Sequence, residues 1–479
     1  MAAGMGITGL TKNSRRIPAS YMALIYLLPA SGLGADIGGA IRLGVSQTDN
    51  VFLSTSPDEV DDVVMQASPS LSIVHKSPNL DANLEYTFDW YRYSDSKTTS
   101  KYHHGEVTLT GRAFEDNLTV DVGAQRSQVL GDPEDVIPPG SSPLSGNLVD
   151  EDELWFNPRF RQAIGGAVTL VASYRYSKIQ FDQPLTQENT NQSGNFGLEN
   201  YRAGQGLTWA LRYDWNRSEY DISVPWENRR ATAELGFWVN AKTRMFGAGG
   251  KESSWDNPFD PALDDPFWEA GFAYSPSDNL SAEFAAGERS FGSSWRGRLD
   301  FTFRRGSTLL SYDESPTTTG FDRSGGRWNL VDADIVDDFL NRPGSAERYI
   351  SKRLNWDLNL EFRRTKFIIS VFDENRSDRI SADGTLIDDQ SQTGVTVNFS
   401  WQAGVRTEFA AFGSRVDQDT GAGNSSEFAI AGLNISYRLG TRSNLSLGYS
   451  YSEQQPSGDN PSGQDYVANV VSLFFTYSM

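Results

Sequence analysis

Cysteine is absent from the 479-residue chain, and histidine occurs only three times. The lack of thiols excludes a disulfide framework, a cysteine nucleophile and a thiolate metal site. The sequence also lacks a run of about 18 apolar residues, the length that a membrane-spanning helix needs. Its formal net charge of -20 disfavours nucleic acid as a partner, because the phosphate backbone is itself anionic.

One shorter apolar stretch, residues 17–30, lies near the N-terminus. It follows Lys12, Arg15 and Arg16 and precedes several small residues, an order that is typical of a secretory signal peptide. We predict that residues 1–35 are this peptide and are cleaved. Residues 36–479 are then expected to form a single domain, in which no N-terminal plug precedes the first strand.

Alternation of apolar and polar residues is what the chain has in abundance. In Leu80–Tyr93, apolar side chains occupy the even positions from Leu80 to Trp90, and polar side chains lie between them. Because side chains of a strand point alternately to opposite faces, this pattern predicts a strand with one apolar face. The pattern recurs in about 22 segments, within a range of roughly 16 to 22 strands. The eighth is expected near residues 195–204.

Short and long connections are expected to alternate strictly between these strands. The short turns, around residues 77–79, 165–166 and 440–441 for example, would all lie on one side of a sheet, and the long loops on the other. The prediction is an all-β, transmembrane, antiparallel up-and-down β-barrel with short periplasmic turns and long extracellular loops, in a bacterial outer membrane. A soluble β-sandwich is the alternative. Expected partners are outer-membrane lipid, lipopolysaccharide and the barrel-assembly machinery.

The face opposite the apolar one carries charges of both signs. Such a face would suit a water-filled lumen, where these residues either contact a solute or form lateral ion pairs. The predicted lumen-lining residues are Arg42, Asp81, Glu85, Asp89, Glu106, Arg112, Arg175, Arg212, Asp214, Glu234, Arg296, Arg298, Asp357 and Glu361.

Two loops, near residues 130–152 and 315–346, are long enough to fold into the lumen. In the second loop, residues 331, 335, 339 and 340 are apolar and stand at helical spacing, which predicts a short amphipathic helix. We expect this helix to constrict the pore; an exposed cap over the mouth is the alternative.

Support for catalysis is weak. The chain contains neither the nucleophile elbow of hydrolases nor a zinc-protease motif. The protein is therefore expected not to be an enzyme, with no catalytic residues, no metal and no cofactor. An outer-membrane hydrolase that uses His103 and His104 near Asp95 is the less favoured alternative.

Several stretches resemble outer-membrane β-barrel proteins associated with PEP-CTERM/exosortase systems. These stretches are residues 48–53 (TDNVFL), 68–71 (SPSL), 266–272 (PFWEAGF), 275–277 (SPS), 287–292 (GERSFG) and 295–302 (WRGRLDFT). The resemblance implies a barrel from an exopolysaccharide-related locus and supplies no catalytic residues. It favours a channel or scaffold for export of an exopolysaccharide or a surface protein, with polysaccharide or export-system components as partners.

In such a channel, a sugar polymer could slide along inward-facing aromatic rings, for which Tyr91, Tyr93 and Trp238 are the candidates. The alternative is a structural or adhesion barrel that transports nothing. A conductance measurement would separate these two functions.

Overall fold

The computed structural model describes residues 34–131, 135–138, 144, 146–182, 188–200, 206–221, 223, 225–255, 263–324, 346–381, 384–421, 423–458 and 464–479. Residues 1–33 of the predicted signal peptide and the predicted helix at residues 331–340 lie outside these ranges. No helix within them is long and apolar enough to span a membrane.

The described chain is almost entirely β-strand. The strands are β1 (Asp36–Thr48), β2 (Asp62–Lys76), β3 (Leu80–Tyr93), β4 (Thr99–Ala113), β5 (Leu118–Leu130), β6 (Leu148–Ile164), β7 (Val168–Phe181), β8 (Asn189–Asn200), β9 (Leu207–Tyr220), β10 (Trp226–Asn240), β11 (Thr243–Trp255), β12 (Leu263–Ser277), β13 (Leu280–Arg289), β14 (Gly292–Phe303), β15 (Gly306–Thr318), β16 (Arg348–Glu361), β17 (Thr365–Ile380), β18 (Leu386–Ile387), β19 (Gln390–Gln402), β20 (Thr407–Gly421), β21 (Asn424–Arg438), β22 (Ser443–Ser457) and β23 (Tyr466–Ser478). A short helix, α1 (Thr319–Ser324), follows β15.

The strands close into a ring. Each long strand pairs antiparallel with its neighbours in the chain, and β1 pairs with β23 over the register Ala40↔Ser478 to Thr48↔Val470. The two-residue β18 pairs only with the end of β17 and takes no part in the ring. A closed, antiparallel barrel of 22 strands results, which confirms the predicted fold class.

The two faces of the sheet differ as the alternation predicts. In β21, Leu433, Ile435 and Tyr437 are exposed, and Leu433 retains 59% of its accessible surface. Asn434 and Ser436 lie between them and point to the opposite face, because neighbouring residues of a strand alternate. Exposed apolar rows of this kind recur around the ring and form the outer face of a membrane barrel, which contacts lipid.

The connections divide the barrel into two ends. The end that carries the turns after β2, β4 and the other even-numbered strands up to β16 is called the turn end, and the opposite end the loop end. Alternation between short and long connections is not strict. At the loop end, β13 and β14 are joined by Ser290 and Phe291 alone, and β20 and β21 by residues 422–423. Hairpins with two-residue loops thus occur at both ends.

The outer face can be tested with a pair of adjacent residues. We expect Leu433→Arg to lower the free energy of unfolding in lipid vesicles by about 2–4 kcal/mol, because it places a cation against hydrocarbon. The neighbouring Asn434→Arg, on the inner face, should cost far less. Equal losses for both variants would contradict the assignment of the faces.

Candidate functional site

All fourteen predicted lumen-lining residues lie on the inner face of the barrel. Cross-strand pairs point to the same side, so the register from β1 to β16 places them in rows that alternate with the exposed apolar rows. They are spread over this arc and do not converge on one site. Whether any of them contacts a transported solute stays a prediction.

The inner face of β2, β3 and β4 carries a polar group centred on Asp89. Its carboxylate accepts hydrogen bonds from Ser68 and from Gln66, the latter at 3.3 Å, and lies 3.2 Å from His104 Nε2. Closer to the turn end, Glu85 stands directly opposite Glu106, and Arg112 pairs with Asp81. All the predicted residues of these strands therefore contact or face another polar side chain on the wall.

A ladder of alternating charges crosses the inner wall from β6 to β11. Arg161 lies 3.5 Å from Glu199, Glu199 lies 4.0 Å from Arg212, and Arg212 lies 3.2 Å from Glu234, which also pairs with Arg244. Glu234 and Arg244 retain only 5% and 2% of their accessible surface. The prediction included Arg212 and Glu234 but missed the other three, although all three stand at inward positions of alternating strands.

A second ladder covers β10 to β14. Arg230 and Arg296 lie 3.8 Å and 3.2 Å from Glu269, and Arg296 also pairs with Glu283. Higher on the wall, Arg289 lies 2.6 Å from the buried Glu252. Lateral pairing of this kind matches charge with charge along the wall, so much of the inward charge is already satisfied by protein groups.

The remaining predicted residues have simpler surroundings. Arg42 lies over the ring of Phe474 at 3.6 Å, Arg175 lies 3.5 Å from Glu153, and Asp214 accepts a hydrogen bond of 2.5 Å from Asn195. Arg298 lies 3.5 Å from Asp300, and Glu361 is exposed. Asp357 has a buried carboxylate oxygen for which the described structure shows no hydrogen-bond partner.

An apolar cluster at the loop end was not predicted. Its wall residues point inward from β17, β20, β21 and β23, and residues of two loops and of the end of β5 cover them. This group, the mouth cluster, consists of Phe372, Val416, Phe428, Ile430, Tyr466 and Ala468 on the wall, with Leu53, Leu130, Val136 and Ile137 against them. The sequence feature that could have predicted this cluster is a local break in the apolar–polar alternation, such as the apolar run from Phe428 to Ala431.

Hydrogen bonds hold the covering loops in place. The backbone N–H of Ile137 donates to Gln454 Oε1 at 2.8 Å, and the Tyr466 hydroxyl donates to the Ile137 carbonyl at 2.5 Å. In the β1–β2 loop, Asn50 Nδ2 donates to the Val467 carbonyl at 3.1 Å. The loop after β5 therefore reaches the wall on the far side of β1, as expected for a loop that folds inward.

A smaller cluster covers the neighbouring part of the wall, on β2 and β3. It consists of Val51, Val64, Tyr91 and Tyr93, and Leu144 packs against these residues. The Leu144 N–H also donates to the Val51 carbonyl at 2.8 Å. Tyr93 has no exposed surface. The expectation that Tyr91 and Tyr93 offer a sliding surface to a sugar polymer was wrong, because the loops bury both rings; Trp238 stays partly exposed.

The loop after β15 also contacts distant strands. In α1, the Gly320 N–H donates to the Tyr220 hydroxyl at 3.2 Å, and the Gly320 carbonyl accepts from Asn191 Nδ2 at 3.0 Å. Phe321 packs near Trp226, with ring centroids 6.5 Å apart. The described parts of both long loops thus cross to inward positions of other strands.

The two neighbouring histidines do not share a site. His103 points outward, where its Nδ1 lies 2.6 Å from the Tyr86 hydroxyl, whereas His104 points inward to Asp89. The hydrolase alternative needed both rings together, and the strand separates them onto opposite faces. Within the described ranges, no group of three or more His, Asp or Glu is placed to hold a metal ion.

Comparisons with known proteins identify the fold and no family. No family model matches the chain, and a search of curated proteins finds no match either. Among solved structures, the FrpB iron transporter from Neisseria meningitidis (F5-1 variant) is similar, with a TM-score of 0.52 and 8% identity over 93% of this chain and 83% of that one. Its F3-3 variant has a TM-score of 0.50 and 9% identity, over 93% and 82%.

The siderophore receptor PirA from Pseudomonas aeruginosa also matches, with a TM-score of 0.47 and 11% identity over 92% of this chain and 80% of that one. A closed 22-strand barrel with an apolar outer face belongs in a bacterial outer membrane, in contact with its lipid. The protein is an outer-membrane β-barrel.

The ladder from β6 to β11 can be tested at its most buried acid. We expect Glu234→Gln to lower the free energy of unfolding by about 3 kcal/mol, because it removes a carboxylate that pairs with the buried guanidinium of Arg244. Glu408→Gln, at an exposed inward carboxylate of β20, is the matched control and should cost little. Similar unfolding curves for the two variants would contradict this role of the ladder.

Proposed function

We propose that the protein is an outer-membrane channel for polar solutes, and that its own loops close the loop end in this structure. The observation that supports the proposal is the mouth cluster, a small apolar core built on the inner wall near the loop end. Transport through the barrel then requires the covering loops to leave this wall.

The dimensions of the ring support a channel. At a strand spacing of about 4.8 Å and a tilt of about 40°, 22 strands enclose a ring roughly 40 Å across between backbones. Below the mouth cluster, the inner wall is open to solvent. Phe412, on the inner face of β20, keeps 40% of its accessible surface, and Arg298 on β14 is also exposed. Barrels of this size need something to fill the lumen, and the inward loops serve this purpose at one end.

A structural or adhesion barrel that transports nothing is the second candidate. It is favoured by the hydrogen bonds that hold the loop after β5 on the wall, because their wall partners, Gln454 and Tyr466, are almost completely buried. The two functions differ in one physical property, which is whether the loops can leave the wall while the barrel stays folded.

The cargo is a finer proposal. We propose export of an exopolysaccharide or a surface protein in a PEP-CTERM/exosortase system, with export-system components, lipopolysaccharide and the barrel-assembly machinery as partners. The support is the sequence resemblance alone. A deletion strain assayed for secreted polysaccharide and for PEP-CTERM protein display tests this proposal, and normal levels of both would remove it.

Loop release can be measured in planar bilayers. We expect Ile137→Asp to raise the single-channel conductance several-fold over that of the unchanged protein, because a buried carboxylate in the mouth cluster disfavours docking of the loop. Val405→Asp is the control, since Val405 is 87% exposed in the turn between β19 and β20 and contacts no cluster.

The outcomes separate the two functions. A folded Ile137→Asp variant that conducts no better than the Val405→Asp control would leave the structural barrel as the better proposal. Folding of each variant is checked on a denaturing gel. A folded barrel shifts to the slower-migrating position of the unfolded chain only after it is heated.

A further inference from the structure

The arginines of this protein differ in how they are neutralised. Along the inner wall, arginine after arginine lies within 4 Å of a carboxylate, as in the pairs of Arg175 with Glu153, Arg212 with Glu234 and Arg289 with Glu252. This is unsurprising in a chain with 62 acidic and 42 basic residues. An arginine without an acidic partner is therefore the uncommon case.

Unpaired arginines gather at one place. Between β14 and β22, the turn end carries seven exposed arginines that make no ion pair within the described part of the chain. These arginines, the arginine rim, are Arg304, Arg305, Arg363, Arg364, Arg406, Arg438 and Arg442. They lie in or beside four successive turns, so this arc of the turn end is rich in positive charge.

Three of them line one cleft. Arg406, Arg438 and Arg442 surround a cleft of about 260 Å³ on the rim. The backbone fixes their spacing, because the Arg438 N–H donates to the Arg406 carbonyl and the Ser478 N–H donates to the Arg442 carbonyl, both at 2.8 Å. Arg438 also stands directly opposite Asn444 in the register of β21 and β22.

The rest of the cleft is polar and almost uncharged. Ser436, Asn444 and Thr476 line it with hydroxyl and amide groups, and Glu408 is its one carboxylate. Three guanidinium groups against one carboxylate leave an excess of positive charge. Guanidinium groups bind carboxylate and phosphate through paired N–H donors, and hydroxyl and amide groups recognise the hydroxyls of a ligand.

We propose that this cleft is a binding site for a small hydroxylated molecule that carries a phosphate or a carboxylate, captured at the turn-end opening of the lumen. Arg406, Arg438 and Arg442 hold the oxyanion, and Ser436, Asn444 and Thr476 contact the hydroxyls. The site does not depend on channel activity, because it binds at the rim whether or not the mouth cluster opens.

Binding is tested by calorimetry on the purified barrel in a polyoxyethylene detergent, which carries no phosphate. The probes are glucose 6-phosphate, glucose and dihexanoyl phosphatidylglycerol. We expect glucose 6-phosphate to bind and glucose not to bind. The triple variant Arg406→Gln, Arg438→Gln, Arg442→Gln should bind glucose 6-phosphate at least about tenfold more weakly. The reason is that each lost charge-assisted hydrogen bond is worth about a factor of ten in affinity.

Arg92→Gln is the matched control, because Arg92 is exposed and unpaired in the described structure but lies near the loop end of β3. It should bind like the unchanged protein. Equal binding by the triple variant, or no binding of glucose 6-phosphate by the unchanged protein, overturns the proposal. Binding of the short-chain lipid alone also overturns it and makes the rim a lipid contact. None of these outcomes bears on conductance, so the channel proposal is tested separately.

Discussion

The hydrogen bonds between β1 and β23 are the interaction on which the rest of the structure depends. At the depth of the hydrocarbon no water can satisfy a free strand edge, and each unpaired backbone group costs several kcal/mol. Pairing Ala40–Thr48 with Val470–Ser478 removes both edges of the sheet at once. Once the ring is closed, each side chain of a membrane-spanning strand points either to the lipid or to the inside of the barrel.

The width of the ring then creates a second problem, which the inner wall solves in different ways around its circumference. Charge ladders cover the arc from β6 to β14, where each buried ion needs an opposite ion because desolvation is costly. On the arc from β17 to β23, apolar residues near the loop end bind the chain's own loops. Near the turn end the same arc ends in unpaired arginines. Chemistry thus changes both around and along the lumen.

Period-two alternation predicted the fold because lipid and lumen impose it on every strand. The strand predicted at Leu80–Tyr93 is β3 with the same bounds, whereas the strand predicted near 195–204 is β8, Asn189–Asn200. The sequence of β8 is mostly polar, so its alternation is weak and its limits depend on pairing with β7 and β9. Orientation was predicted for Tyr91 and Tyr93, but their burial was not. Leu144 and Val51 cover them through contacts that no local pattern encodes.

The anchors of the covering loops fix when the mouth can close during assembly. Asn50 bonds to a residue 417 positions further along the chain, and Tyr466 bonds to one 329 positions earlier. Both partners belong to β23, the strand that closes the ring against β1, so neither loop has its full docking surface until these two strands have paired. Mouth closure is therefore a late step that reports a completed ring. A barrel in which β23 has not joined β1 lacks both of these hydrogen bonds, and its two loops are correspondingly more open to proteolysis.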